Sequence, residues 1–291
     1  MNTIKVADLR IRVKSSNTDF FEKLFSNYIC NDGLPLDMSM ETVVFEKLSQ
    51  PNGEIIQALD TYFVIKTAEN KNCFYKKDSP NGEILFAVFY TTDHRDVRIE
   101  IKRDINFLST NACDFEYIFT GFMFSNRLAF LGGTVLHSSA IAYENKGIVF
   151  TAPSGTGKST HTELWHKKFS DMVVTLNDDK PAIRFIDGEP YLYGTPWSGI
   201  THINSNICVP LSAIVCLERD TECSIERMDA VSSVLFLTKQ LPNPYHDSDI
   251  GKKTVGIINE LFNAVPIFKL KCNISENAVD TVFNAVLGDN L

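Results

Sequence analysis

The sequence predicts a mixed α/β (α+β) chain, with a β-rich N-terminal accessory domain over residues 1–110 and a P-loop domain over residues 111–291. Three observations carry this. Short alternating apolar segments broken by turn residues run from Lys5 to about Ile105; helical and strand patterns interchange from Cys113 onward; and Ala152-Pro153-Ser154-Gly155-Thr156-Gly157-Lys158-Ser159 satisfies the A/G-x-x-x-x-G-K-S/T pattern of a phosphate loop.

In the N-terminal part, Leu9-Arg10-Ile11-Arg12-Val13 alternates as a half-buried strand does. Asp19 to Tyr28 places Phe20, Phe21, Leu24 and Phe25 in a helical stripe, which reads as core packing. Tyr62 to Ile65 is a short apolar strand, and Pro80-Asn81-Gly82-Glu83 supplies hairpin-turn residues. No catalytic constellation stands out here.

The C-terminal domain is expected to open with a helix over Cys113 to Gly132, carrying Phe115, Ile118, Phe119, Phe122, Met123, Leu128 and Phe130 and ended by Gly132-Gly133. Thr134 to Tyr143 and Gly147 to Thr151, joined by the turn Glu144-Asn145-Lys146-Gly147, form a hairpin leading into the phosphate loop. Ser159 to Lys168 reads as the helix that follows. Met172 to Leu176 is a buried strand ending in Asn177-Asp178-Asp179. Further strands are predicted at Ala182–Ile186, Leu211–Leu217 and Ile267–Leu270, and helices at Asp229–Gln240, Ile250–Phe262 and Glu276–Leu287.

A strand, a glycine loop and a helix N-terminus in that order suit phosphate chemistry. The amides of Gly155 to Ser159 can wrap a phosphate at the positive end of the helix dipole, Lys158 can neutralise the outer phosphates, and the Ser159 hydroxyl can ligate Mg²⁺. Ser154 and Thr160 flank this cradle and complete the nucleotide-binding set. The pair Asp178-Asp179, about twenty residues after Lys158, suits metal and proton chemistry, although Asn-Asp runs also close strands as plain turns. His161 and His166 lie five apart on the helix, a spacing that does not put two imidazoles on one face, and read as helix-surface or packing groups. His137 reads equally as a core or a site residue, and Trp197 as a stacking surface or a buried anchor.

Composition narrows the partners. The 291 residues carry a net charge of −8, which argues against a nucleic-acid or anionic-membrane surface, and 44% hydrophobic residues are enough for a full core. Neither an N-terminal apolar segment of signal-peptide length nor a membrane-length run is apparent, so a cytoplasmic location is expected. The seven cysteines form no CxxC pair and read as reduced structural thiols.

Leu136-His137, Ala152 to Thr160 and Leu176-Asn177-Asp178-Asp179-Lys180 together resemble the catalytic domain of HPr kinase/phosphorylase and its distant relative phosphoenolpyruvate carboxykinase. Gly157 to Trp165, Asn177 to Pro181 and Tyr193-Gly194-Thr195-Pro196-Trp197-Ser198-Gly199 look like an HPr-kinase-related subgroup associated with peptide-modification gene clusters. The resemblance spans Thr134 to the C-terminus. It implies a P-loop kinase domain and transfer of the terminal phosphoryl group of ATP to a serine or threonine hydroxyl on a small protein, a peptide precursor or free serine.

By the same resemblance Lys158 holds donor phosphates, Ser159 and Asp179 bind Mg²⁺, Asp178 accepts the acceptor's proton, His137 lies near the transferred phosphate, and a homo-oligomer is expected. Two family features lack a match. The family's metal-binding glutamate is absent from the Gly194–Gly199 region, with Asp187 or Glu189 as possible substitutes, and its late arginines correspond at best to Lys269 and Lys271. A nucleotide-binding regulatory or scaffold module is the alternative function.

Overall fold

The computed structural model of the chain describes residues 2–107, 109–241 and 247–288, and these divide into two compact units: residues 2–131 with 247–250, and residues 132–241 with 251–288.

The first unit is built on one eight-stranded sheet. Its elements are β1 (Asn2–Val6), β2 (Leu9–Lys14), α1 (Thr18–Phe25), β3 (Met38–Phe45), β4 (Glu54–Leu59), β5 (Tyr62–Lys66), β6 (Asn72–Lys77), β7 (Ile84–Tyr90), β8 (Asp96–Lys102) and α2 (Ala112–Phe130). Strand order is β1-β2-β3-β8-β7-β6-β5-β4; β3 runs parallel to β2 and β8, and the other neighbours are antiparallel. The alternation expected at Leu9–Val13 is observed, with Leu9, Ile11 and Val13 buried.

Helix α2 begins at Asn111, whose side chain accepts from the amides of Cys113 and Asp114 and so satisfies two of the free N–H groups at the helix start. Its Phe115 and Phe119, one turn apart, stack at 4.1 Å and press onto Phe86 of β7 at 4.7 and 5.1 Å. Phe74 of β6 closes the cluster at 6.2 Å from Phe86. The guanidinium of Arg127 donates to the carbonyls of Asp37 and Asp93, each at 3.0 Å. These contacts place α2 in the first unit. The unit boundary falls after Leu131, whereas the sequence reading put it at 110/111; hydrophobic periodicity shows that a helix has a buried face but not which sheet that face covers.

The second unit comprises β9 (Gly133–Val135), β10 (Ser138–Tyr143), β11 (Lys146–Thr151), α3 (Lys158–Phe169), β12 (Val173–Asn177), β13 (Ala182–Ile186), β14 (Glu189–Tyr193), β15 (Cys208–Arg219), β16 (Ser224–Arg227), α4 (Ala230–Gln240), α5 (Ser248–Ala264), β17 (Ile267–Cys272) and α6 (Glu276–Val286). Residues 248–250 of α5 group with the first unit. The sheet runs β12-β10-β11-β15-β14-β13-β9, and β17 pairs with both β15 and β16. β15 lies parallel to β11 and to β17, so the three end at the same edge, and β11 leads straight into the phosphate loop. The core between sheet and helices is formed by Ile148 and Phe150 of β11, Val215 and Leu217 of β15, Trp165 of α3, and Val279 and Val282 of α6. Among the described residues no helix is long and apolar enough to cross a membrane.

Removing the Phe86 ring leaves a cavity between β7 and α2 that the surrounding aromatic rings cannot refill. Phe86→Ala is expected to cost about 3–5 kcal/mol. In urea titrations the far-UV circular dichroism midpoint should fall accordingly, while the fluorescence transition moves less, because both tryptophans, Trp165 and Trp197, belong to the second unit.

Candidate functional site

The phosphate loop spans the gap between buried Ala152 at the end of β11 and the first residue of α3. Gly155 and Gly157 have φ of +75° and +116°, a region that only glycine enters without strain, and a Cβ on either would meet no protein atom within 4 Å. The loop therefore needs glycine for its backbone path, and the space beside it is open. The amide of His161 donates to the Gly157 carbonyl, so the helix ladder starts at once and leaves the preceding N–H groups at the helix's positive end. The Lys158 ammonium lies at the mouth, donating to the Ala152 carbonyl at 3.1 Å.

Facing the loop is the turn after β12, held by Asn177, which is fully buried. Its Oδ1 accepts from the amides of Asp179 (2.7 Å) and Lys180 (2.5 Å), and its Nδ2 lies 2.8, 3.0 and 3.2 Å from the Thr195 carbonyl, the Thr195 hydroxyl and the Trp197 carbonyl. One side chain so fixes both the aspartate turn and the loop over it. The same closeness requires glycine at 194, where a Cβ would stand 1.8 Å from the Ser205 carbonyl oxygen and 2.7 Å from that of Leu176.

The two aspartates face different partners. Asp178 accepts from the Ser159 hydroxyl at 3.1 Å and from the Ser139 hydroxyl of β10 at 2.6 Å. Asp179 has His137 Nε2 at 3.4 Å and Lys180 Nζ at 3.6 Å. Sequence matching grouped Asp179 with Ser159 at the metal and left Asp178 for the proton; the geometry puts Asp178 against Ser159 instead. Consecutive residues of a tight turn project differently, and spacing alone does not say which one meets the helix.

Burial lowers the His137 pKa below the ordinary imidazole value, as does nearby Lys158; Asp179 opposes the shift and Lys180 adds to it. Lys158 is also pushed down by burial, against the pull of Asp179 and Asp178. His137 is 43% exposed at its side chain and therefore reachable from solvent. His161 is a packing group as expected: it is buried, its Nε2 accepts from Trp165 Nε1 at 3.3 Å, and burial takes its pKa down to about 4. His166 meets the Thr175 hydroxyl at 2.8 Å.

Of the two readings of Trp197, the buried anchor is the one observed, at 3% exposure. Other expectations need correction. Asp187 and Glu189 flank the β13–β14 turn, about 13 Å or more along the strand from Ala182, and so lie far from the aspartate turn. Lys269 pairs with Glu218 at 2.7 Å and Lys271 with Asp220 at 3.7 Å, which leaves neither directed at the loop. The guanidinium that does reach the loop is Arg219, at the end of β15: its Nε donates to the Thr156 carbonyl at 3.1 Å and a second nitrogen to that of Gly155. Arg219 and Ser139 escaped the sequence reading. The signal for Ser139 was present, since strand alternation puts residues 137 and 139 on one face. For Arg219 it required knowing that β15 lies beside β11.

Among the described residues no three His, Cys, Asp or Glu side chains converge as a metal site. The donors that do meet, the Ser159 hydroxyl and the Asp178 carboxylate, are both oxygens, a set that fits Mg²⁺, which takes one or two carboxylates and completes its shell with phosphate and water.

No family model matches the chain, and no curated protein does. Among solved structures it is similar to the HPr(Ser) kinase/phosphatase from Coxiella burnetii, at 12% identity and a TM-score of 0.32, covering 54% of this chain and 99% of that one. The relationship is a distant structural one.

Two outcomes follow from this geometry. Asn177→Ala strips the partly buried amides of Asp179 and Lys180 of their acceptor and is expected to cost roughly 3 kcal/mol in chemical denaturation. His161 gives a pH signature: its folded pKa of about 4 lies below the ordinary 6.5, so the unfolded chain takes up the proton first as pH falls. Stability is then full above pH 6.5 and declines toward pH 4, by up to roughly 3 kcal/mol for this one group. Thermal melts across that window should show the decline, and His161→Phe should flatten it.

Proposed function

We propose that this protein is a Mg²⁺-dependent kinase that moves the terminal phosphoryl group of ATP to a serine or threonine hydroxyl, on a small protein, a peptide precursor or free serine. The observation that carries the reading is the meeting of Ser159 and Asp178 at 3.1 Å beside Lys158, with His137 and Asp179 3.4 Å apart on the adjoining turn. A phosphate cradle, an oxygen pair for a cation and a separate proton-accepting pair are the parts that phosphoryl transfer needs.

In this reading the loop amides and Lys158 hold the donor phosphates, and Ser159 with Asp178 would hold Mg²⁺. Bound there, Mg²⁺ would neutralise charge on the phosphate oxygens. The aspartate roles implied by resemblance are exchanged, because Asp178 already accepts two hydroxyl hydrogen bonds on the helix side. Asp179 takes the proton of the acceptor hydroxyl as its oxygen bonds to the terminal phosphorus. The bond from that phosphorus to the bridging oxygen breaks, and the diphosphate leaves. His137, whose pKa burial and Lys158 lower, holds the Asp179 carboxylate toward the acceptor. The net charge of −8 agrees with an acceptor that is neither nucleic acid nor an anionic membrane.

The test is ³¹P NMR with Mg²⁺-ATP against free serine, free threonine and serine-containing peptides. A new phosphomonoester signal is expected, lost in Lys158→Ala and Asp178→Asn. Asp179→Asn should slow transfer by about 10²–10⁴-fold while nucleotide affinity is kept. Tight binding of ATP that stays unchanged with every acceptor would overturn the kinase reading in favour of a nucleotide-binding regulatory module.

A further inference from the structure

The seven cysteines are free thiols, and two of them, Cys223 and Cys272, are brought together by the pairing of β16 with β17 although about 50 residues separate them in the sequence. We infer that these two thiols are the site of a reversible disulfide, formed by a peroxide and opened by a dithiol, at the same edge of the sheet as the phosphate loop. The inference goes beyond the kinase reading and does not depend on it.

The strand register carries it. Ser224 stands opposite Lys271, Ile225 opposite Leu270, Glu226 opposite Lys269 and Arg227 opposite Phe268, so one step beyond this ladder Cys223 faces Cys272. The Met228 amide donates to the Ile267 carbonyl at 2.8 Å, and the pairs alternate from there. Glu226 with Lys269 and Ser224 with Lys271 fall at hydrogen-bonded positions; Arg227 with Phe268 and Ile225 with Leu270 fall at the others. The cysteine pair is of the second kind, in which the Cα atoms approach to about 4.5 Å and the side chains stand closer. A disulfide spans Cα separations of roughly 4.4–6.8 Å. Strand alternation puts both thiols on the face of Ile225 and Leu270, where Cys272 packs against the core. Cys223 Sγ lies 3.5 Å from Asn273 Oδ1 and 4.0 Å from the Ser275 hydroxyl, beside Cys272 in the chain.

Because β17 lies between β15 and β16, the connection from Asp220 to Cys223 crosses its end. It is tied there by the Asp220 amide, which donates to the Cys272 carbonyl at 3.0 Å, and by Asn273 Nδ2, which donates to the Thr221 carbonyl at 2.7 Å. Both thiols are partly exposed, so a small oxidant reaches them in the folded chain. The β15 partner of Cys272 is Arg219, the residue that braces the Gly155 and Thr156 carbonyls, and the new bond therefore forms beside the support of the loop.

Burial, with the nearby Cys223 sulfur adding to it, pushes the Cys272 thiol up to about 11, and the first attack falls to Cys223. Its thiolate bonds to one oxygen of hydrogen peroxide, the O–O bond breaks, and the departing hydroxide takes the proton that the thiol gave up. The Cys272 sulfur then attacks the sulfur of the Cys223 sulfenic acid. The S–S bond forms, the S–O bond breaks, and a second hydroxide leaves with the Cys272 proton as water. Two thiols and one peroxide become a disulfide and two waters; each sulfur gives up one electron and the peroxide oxygens take both. A dithiol reverses this by exchange, and is itself left as a disulfide.

The full chain, reduced and freed of reductant, would be treated with one equivalent of hydrogen peroxide, unfolded in guanidinium with iodoacetamide, and mapped by peptide mass spectrometry without reduction. The expected product is one peptide pair joined through Cys223 and Cys272 within a single chain and separated by dithiothreitol, with the other cysteines alkylated. The oxidised protein should melt roughly 10 °C above the reduced one, a difference that vanishes in Cys223→Ser and in Cys272→Ser. In Cys272→Ser, which lacks the second thiol, dimedone should capture a sulfenic acid on Cys223. Alkylation of both Cys223 and Cys272 after peroxide, or the joining of either to a different cysteine, would overturn the inference.

Discussion

The site depends on one buried amide. Asn177 ends β12 with no exposed surface, and its side chain reaches partners on two segments, the turn carrying Asp178 and Asp179 and the Thr195–Trp197 loop, which the Thr195 hydroxyl also joins by donating to the Lys180 carbonyl at 2.7 Å. A buried amide is costly unless its groups are paired, and here both its oxygen and its nitrogen are. The turn is held through the backbone amides of Asp179 and Lys180, and the two carboxylates face different partners, Asp178 toward α3 and β10 and Asp179 toward His137. The glycine at 194 follows from the same closeness, since two carbonyl oxygens occupy the place of its missing Cβ.

On this frame, cations and carboxylates are nearly balanced. Lys158 and Lys180 stand among Asp178 and Asp179, and burial lowers the His137 pKa. Burial disfavours the charged forms of Lys158 and His137, and each is partly rescued by a carboxylate neighbour. On the proposed reading, a polyphosphate held at the loop would stabilise the Lys158 ammonium. The Lys158 ammonium donates to the Ala152 carbonyl, a neutral acceptor, so on the proposed reading a phosphate would replace that acceptor without breaking an ion pair.

Much of this was legible in the sequence, for a physical reason. β11, the glycine loop, α3 and β12 are consecutive, so their order and their local patterns determine the phosphate cradle without tertiary knowledge. The glycines signal backbone conformation directly. What was not legible depends on which elements become neighbours. Arg219 ends a strand that lies about 60 residues beyond the loop in sequence, and only the parallel pairing of β15 with β11 brings it to Gly155 and Thr156. The division of labour between Asp178 and Asp179 turns on the angle of a tight turn. The apolar face of α2 was recognised as buried, but which sheet it would cover was not encoded in its own residues.

On the proposed kinase reading, the donor end of the site can be read from the sequence and the acceptor end cannot. Phosphates are held by main-chain amides, whose positions follow from glycine placement and a helix start, features that leave a mark in a single sequence. In that reading an acceptor hydroxyl would be brought to Asp179 and His137 by whatever surrounds it, and that selection would fall to side chains on surface loops. Ile200, 96% exposed on the loop that passes Asp179 at Gly199, is such a position: its type sets what can approach, yet no backbone geometry demands it. A change of acceptor can therefore occur with the cradle, Asn177 and both aspartates untouched, and acceptor identity has to be found by chemistry performed on the protein.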